Sequence, residues 1–279
     1  PDAGTAWRGV RIARGTTTVD LTADEGESPA LFDLAGAGMG AAPALAVVLD
    51  GLELSTEVTQ PPAFPRDLDA SDGFATRGVG AWIDAVERDG DTLRFRAGAR
   101  FAVGRSGDPE LDRAFGSTRT RAVVHWAVVA LPRAPVAGSV AYRESHFGTG
   151  PRELSLCRPD AETTALSIEG PPAAHAAPAL TSFRLSLFPE DEEQGDVVRE
   201  LSLLVHSFEH DPSSGRARMQ VEGYATNEGP PPSRQPMTYD VSATVALLSW
   251  DAGDDVEHLR FAAPVEAGRT DVELPLTER

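Results

Sequence analysis

The chain of 279 residues contains no lysine; all 25 of its basic residues are arginine. That absence excludes Schiff-base chemistry on a lysine, a P-loop lysine over a nucleotide, and lysine-based isopeptide crosslinks. Asparagine is almost missing as well, with Asn227 alone. Both residues have A-rich codons, so GC-rich coding is the simplest account, and an acidic surface adapted to high salt is the sharper one. Cys157 is the single cysteine, so no intramolecular disulfide supports the fold. Set in the alternation Leu154, Leu156, Cys157, it reads as a packed thiol rather than a nucleophile. No run approaches the ~18 apolar residues of a membrane-spanning helix. A dense basic patch is lacking too. Arg94, Arg96 and Arg100 sit among acids, and the net charge is −18, which repels phosphate backbones and anionic membranes. No nucleic-acid partner and no membrane insertion are therefore expected. A G-x-S-x-G nucleophile elbow is also absent.

What is present points to sheets. With 26 Gly, 22 Pro and 41% hydrophobic residues, the composition is that of a globular chain with frequent turns. Period-two alternation recurs at Val10–Leu21, Thr181–Phe188 and Asp271–Leu276, and a nearly continuous apolar run at Leu45–Leu54 is broken by Asp50-Gly51. Two stretches read as helical in part. Ser28–Ala35 has a capping Ser and Pro29 in its first turn. Asp196–His210 fits either period, with strand favoured over its second half.

A weak internal repeat organises these strands. Ala81–Asp89 aligns with Leu203–Asp211 at an offset of 122 residues, each ending in a turn and then an alternating run. Arg119–Leu131 aligns with Thr238–Trp250 at an offset of 119 residues. A fainter third match pairs Cys157–Ile168 with Ala262–Leu274. The expected fold is all-β: two tandem related β-sandwich domains, jelly-roll or Ig-like, with few short helices. The expected boundaries are 1–169 for the first domain with a Gly/Pro-rich insertion, 170–178 for a stiff Pro/Ala linker, and 179–279 for a smaller second domain.

Two clusters are candidate metal ligands. Asp67, Asp69 and Asp72 space acids alternately, as a calcium loop does, although Asp72 and Gly78 replace the Gly and Glu of the EF-hand pattern. Thus Ca²⁺ is the one cofactor the sequence suggests. His206-Ser207-Phe208-Glu209-His210 matches H-x-x-E-H, in which a helix would bring both His to one zinc and Glu209 to its water. On a strand His206, Phe208 and His210 would share a face while Glu209 pointed away. Other features read blandly. Gly36–Ala41 imitates a dinucleotide fingerprint without a βαβ setting. His125 reads as a strand residue, and His146 and His258 have no sequence-defined partners. The run 189–196 reads as a solvated acidic loop. Trp126 and Trp250 read as core or sheet-face aromatics that would stack a sugar if exposed. Pro1 is not on the apolar strand that a tautomerase-type N-terminal proline needs. Removal of an initiator Met in the cytoplasm or of a signal peptide on secretion would give the Pro1 start equally well.

The resulting expectation is a non-catalytic structural, assembly or binding protein whose partners are proteins, copies of itself or carbohydrate. The alternative is a metal-dependent hydrolase using His206, Glu209 and His210, or the acidic loop.

Overall fold

The computed structural model describes residue 7 and residues 9–21, 24–58, 76–103, 118–146, 161–189, 198–227, 237–251 and 265–266. The chain is all-β, with several antiparallel sheets and one four-residue helical turn, α1 (Ala161–Thr164). The strands are β1 (Arg11–Leu21), β2 (Glu25–Asp33), β3 (Ala44–Val58), β4 (Thr76–Asp89), β5 (Thr92–Val103), β6 (Thr118–Leu131), β7 (Val136–His146), β8 (Ala165–Glu169), β9 (His175–Pro189), β10 (Val198–Asp211), β11 (Arg216–Asn227), β12 (Met237–Trp250) and β13 (Val265–Glu266).

Three sheets form, in the orders β1-β6-β3-β13, β2-β5-β4-β9-β12-β7 and β10-β11-β8. The first six strands thus lie in the orders first-sixth-third and second-fifth-fourth. The next six repeat both orders, as β7-β12-β9 and β8-β11-β10. The six-stranded sheet arises because β4 pairs with β9, from Gly78 opposite Ser186 to Trp82 opposite Ser182. Alternation supplies the interior: Val79, Ala81 and Ile83 of β4 and Phe95 and Ala97 of β5 point inward, with Val47, Leu49, Val124, Trp126 and Val128 of β3 and β6 in the same cluster. Leu166, Ile168, Phe183, Leu185, Val241 and Val245 continue it in the later strands, and the β4–β9 pairing sets Val79 beside Leu185 and Ala81 beside Phe183. A second, small-residue cluster joins Ala46, Val48, Ala127 and Val129 to Ala179, Ala246 and Leu248.

Irregularities recur with the strand order. The β4–β5 ladder shifts between Asp84 and Glu87, and β10–β11 shifts between His206 and Glu209. Ala85 (φ 49°) and Ser207 (φ 52°) hold left-handed backbone in these two bulges, 122 residues apart. The β3–β6 ladder slips where Leu49 pairs with Trp126 and Gly51 with His125. In β9–β12 the slip falls where Leu180 pairs with Val245 and Ser182 with Thr244, 119 residues further along the sixth strand.

One expectation is corrected. Residues 28–33 of the anticipated Ser28–Ala35 helix belong to β2 instead. That strand lies at the sheet edge, where a proline's missing N–H does not interrupt a second ladder, so Pro29 is tolerated opposite Arg96. The segment 170–178, expected to be a Pro/Ala linker, is strand over its last four residues. It follows β8, and His175–Pro178 already belong to β9, paired with Leu247–Trp250. Ala173 is buried, because small side chains let this Pro/Ala segment pack closely. Of the faint third repeat match, Leu166–Ile168 lies in β8, while Ala262–Leu274 falls outside the described residues except for residues 265–266.

Candidate functional site

β6 begins opposite the end of β3 (Thr118 with Val58), and β4 begins opposite the end of β5 (Thr76 with Val103). Met237 lies opposite both His146 and Pro189, and Val198 opposite Asn227. The start of β4 lies beside the end of β9, and the other two sheets run the same way, since Arg88 at the end of β4 donates to Ala42 O just before β3 and Gly170 just after β8 lies beside Leu247 near the end of β12, so these strand ends fall at one end. The connections 59–75, 104–117, 190–197 and 228–236 therefore leave and re-enter there, and 147–160 leaves there from the end of β7. The opposite end carries the tight turns at Gly90-Asp91 and 212–215 and the short connections 132–135 and 170–174. Asp67, Asp69 and Asp72 fall in the first of the long connections, outside the described residues, as do Cys157 and His258.

The H-x-x-E-H segment lies on strand β10, not on a helix. The bulge at Ser207 breaks its alternation. His206 Nδ1 lies 3.0 Å from Ser207 Oγ, and its Nε2 lies 3.1 Å from Glu222 Oε1 without hydrogen-bond alignment. Glu209 is exposed and stands opposite Arg218. His210 Nε2 is buried with no hydrogen-bond partner. Burial holds the His210 imidazole below its ordinary pKa; Asp211 opposes this and His175 adds to it. His175 in turn stacks on Trp250 at 5.9 Å. Among the described residues no group of three His, Cys, Asp or Glu side chains is placed to hold a metal ion. The helical geometry that zinc peptidase chemistry requires is thus missing at His206, Glu209 and His210.

Gly36–Ala41 is a turn between β2 and β3. Gly36 N donates to Asp33 Oδ1 at 3.0 Å, Arg11 donates to Gly38 O at 3.0 Å, and Arg88 donates to the carbonyls of Gly40 and Ala42. Its carbonyls are tied by arginines, and no helix follows to present free N–H groups to a phosphate. Trp126 is interior: its ring edges meet Phe32 and Phe95, and Nε1 donates to Thr17 Oγ1 at 2.9 Å. It is closed to a sugar.

Two polar groupings were not legible beforehand, because cross-strand register assembles them. At the β3 bulge, Asp50 accepts from Arg14 at 2.9 Å, and His125 Nε2 lies 2.8 Å from Glu53. Burial raises the Asp50 carboxyl, while Arg14 and His125 pull it down. The Arg14–Asp50 ion pair and the His125–Glu53 contact span three strands, and the only prior signal was Asp50-Gly51 breaking an apolar run. The second grouping covers the face of the six-stranded sheet that lies away from the main interior. Trp82 lies over Gly98, where an added Cβ would come within 2.1 Å of the indole. Its Nε1 donates to Glu27 at 3.0 Å, and the Arg184 guanidinium stands 4.6 Å from the ring centroid. Arg96 bridges Glu27 and Asp84, each at 3.0 Å. Arg100 donates to Ser186 Oγ at 3.3 Å.

Set against protein-family models, curated proteins and solved structures, the chain matches none. No described helix is long and apolar enough to cross a membrane.

Proposed function

We propose that this chain is a non-catalytic binding or assembly protein, made by duplication of a six-strand jelly-roll-like sandwich, that meets its partners at the end where the five long connections leave the strands. The gathering of those connections at one end carries the reading. Loops displayed together on a rigid sheet scaffold are the usual place for recognition. Duplication is supported by the doubled strand order and by bulges spaced 122 and 119 residues apart. On this reading the two units meet at residues 132–135, where Arg133 donates to Pro172 O at 2.7 Å and pairs with Asp251. The pairing of β4 with β9 makes the units one platform.

Protein partners or further copies of the chain are the favoured ligands, with carbohydrate next. On this reading Asp67, Asp69 and Asp72 hold Ca²⁺ in the first long connection. Light scattering with and without Ca²⁺ tests the proposal. A defined oligomer, or Ca²⁺-dependent association abolished in the triple Asp→Asn variant, supports it. A monomer indifferent to Ca²⁺ that hydrolyses peptides with stoichiometric zinc, lost in His210→Ala, overturns it.

A further inference from the structure

The doubled strand order leaves equivalent strand edges in unequal states. In the earlier strands β4 ends the order β2-β5-β4, and in the later ones β10 ends the order β8-β11-β10. Both carry the same two irregularities. The β4–β5 ladder shifts between Thr76 and Gly78 and between Asp84 and Glu87; the β10–β11 ladder shifts between Val198 and Glu200 and between His206 and Glu209. Gly78–Trp82 of β4 therefore corresponds to Glu200–Leu204 of β10. The first stretch pairs with β9 at Ser182–Ser186. The second pairs with β11 on one side, and among the described residues no strand takes its other side. β3 and β9 correspond in the same way. Their ladders slip after Leu49 and after Leu180, so Gly51–Ser55 of β3 matches Ser182–Ser186 of β9. Where β9 receives β4, β3 receives only β13, with Val265 opposite Leu52 and Glu266 opposite Glu53 in parallel.

β13 thus sits on β3 at the positions equivalent to Phe183 and Arg184, inside the stretch where β9 takes β4. A two-residue ladder is a small cover for a strand of 15 residues. An uncovered edge presents a row of unpaired N–H and C=O groups to any strand that fits. The strand that fits is β10. Laid on β3 as β4 lies on β9, it sets Leu203 opposite Leu52 and Leu201 opposite Leu54, as Ala81 is opposite Phe183 and Val79 opposite Leu185. Leu52 and Leu203 are both buried in the main interior, so the pairing continues one apolar face across the junction. At the alternate positions 202 falls opposite Glu53 and Glu200 opposite Ser55, so no like charges are opposed. β3 and β10 of a single chain belong to separate sheets; the partner is a second copy.

We infer that Gly51–Ser55 of β3 is a docking site for β10 of a second copy of this chain, and that β13 holds it closed. The inference rests on the duplication proposed above and gives the assembly reading a partner and a surface, on strand edges rather than in the long connections. Reciprocal pairing of two copies makes a dimer, and one-way pairing a longer series. The test is light scattering of full-length variants over a concentration series, at an ionic strength that screens the net charge of −18. Val265→Pro with Glu266→Pro removes both N–H donors of β13 and should strengthen association about tenfold or more over the parent chain. In that background Ser202→Glu sets a like charge opposite Glu53 and should weaken association several-fold, whereas Ser202→Arg should not. Adding Glu53→Arg to Ser202→Glu should restore it. A double-proline chain that associates no more than the parent overturns the inference, and so does association indifferent to the charges at 202 and 53. Oligomers held by the long connections would show that indifference while still responding to the Asp67, Asp69 and Asp72 substitutions, so the two failures are told apart. Near-UV circular dichroism checks that each variant is folded, and Val265→Gly with Glu266→Gly carries the test if the proline pair is not.

Discussion

Gly15 should be the least replaceable glycine in the β1-β6-β3-β13 sheet. A Cβ there would stand 2.3, 2.4 and 2.8 Å from three carbons of the six-membered ring of Trp126. The indole cannot move aside cheaply, because Phe32 and Phe95 meet it edge-on at 5.9 and 5.0 Å and Thr17 holds its Nε1 at 2.9 Å. Overpacking of a rigid core costs up to about 3 kcal/mol. Removing a glycine from the unfolded chain returns about 0.5–1 kcal/mol. Gly15→Ala should therefore lose roughly 2 kcal/mol, or about 4–8 °C in Tm for a chain of this size. The assay is a double-mutant cycle with Trp126→Phe, read by urea denaturation. Phenylalanine lacks the ring carbons that collide, so Gly15→Ala should cost little in that background, giving a coupling of about 2 kcal/mol. A Gly15→Ala protein within about 0.5 kcal/mol of the parent, the scatter of an inert surface change, would refute the reasoning. So would an equal cost in both backgrounds.

The bulge residues offer a paired prediction: because left-handed backbone costs a non-glycine residue about 1–2 kcal/mol, Ala85→Gly and Ser207→Gly should each stabilise by a few tenths to about 1 kcal/mol, less the entropy glycine loses. Valine at either position should destabilise, and denaturation curves in which only one site responds would count against equivalent bulges. Acid should also weaken the later strands. His210 is held neutral chiefly by burial, with Asp211 beside it and His175 facing it. A histidine whose folded pKa is depressed stabilises fully above its unfolded value near 6.5, and loses that stability as pH falls through 6.5 to the lowered value. The fall in Tm between pH 7.5 and 5.5 should be smaller in His210→Gln, and an unchanged pH profile would show that another group titrates there.

Some of this molecule could be read directly from the order of its residues. Alternation at Val10–Leu21 and Thr181–Phe188 marks strands because side chains two apart share a face, and that rule acts locally. The offsets of 122 and 119 were visible for the same reason: each aligns segments whose inward and outward positions coincide. Local rules failed at Ser28–Ala35, where a capping serine and a first-turn proline imitate a helix start, and pairing with β5 at a sheet edge prevails. At residues 170–178 proline and alanine suggested a joint, and the last four of these residues pair with β12 as strand. Whether such a segment is covered depends on β12, more than sixty residues away. The triplet of Arg14, Asp50 and His125, and the contacts of Arg184 with Trp82 and of Arg100 with Ser186, left no trace in the sequence at all. They exist because hydrogen-bonded register brings distant strands side by side. Composition and periodicity alone settled that the chain would form sheets and which side chains would face inward. Which strands became neighbours, and so which charges met, was decided only by tertiary pairing, since a strand's own residues specify its faces but not its partner.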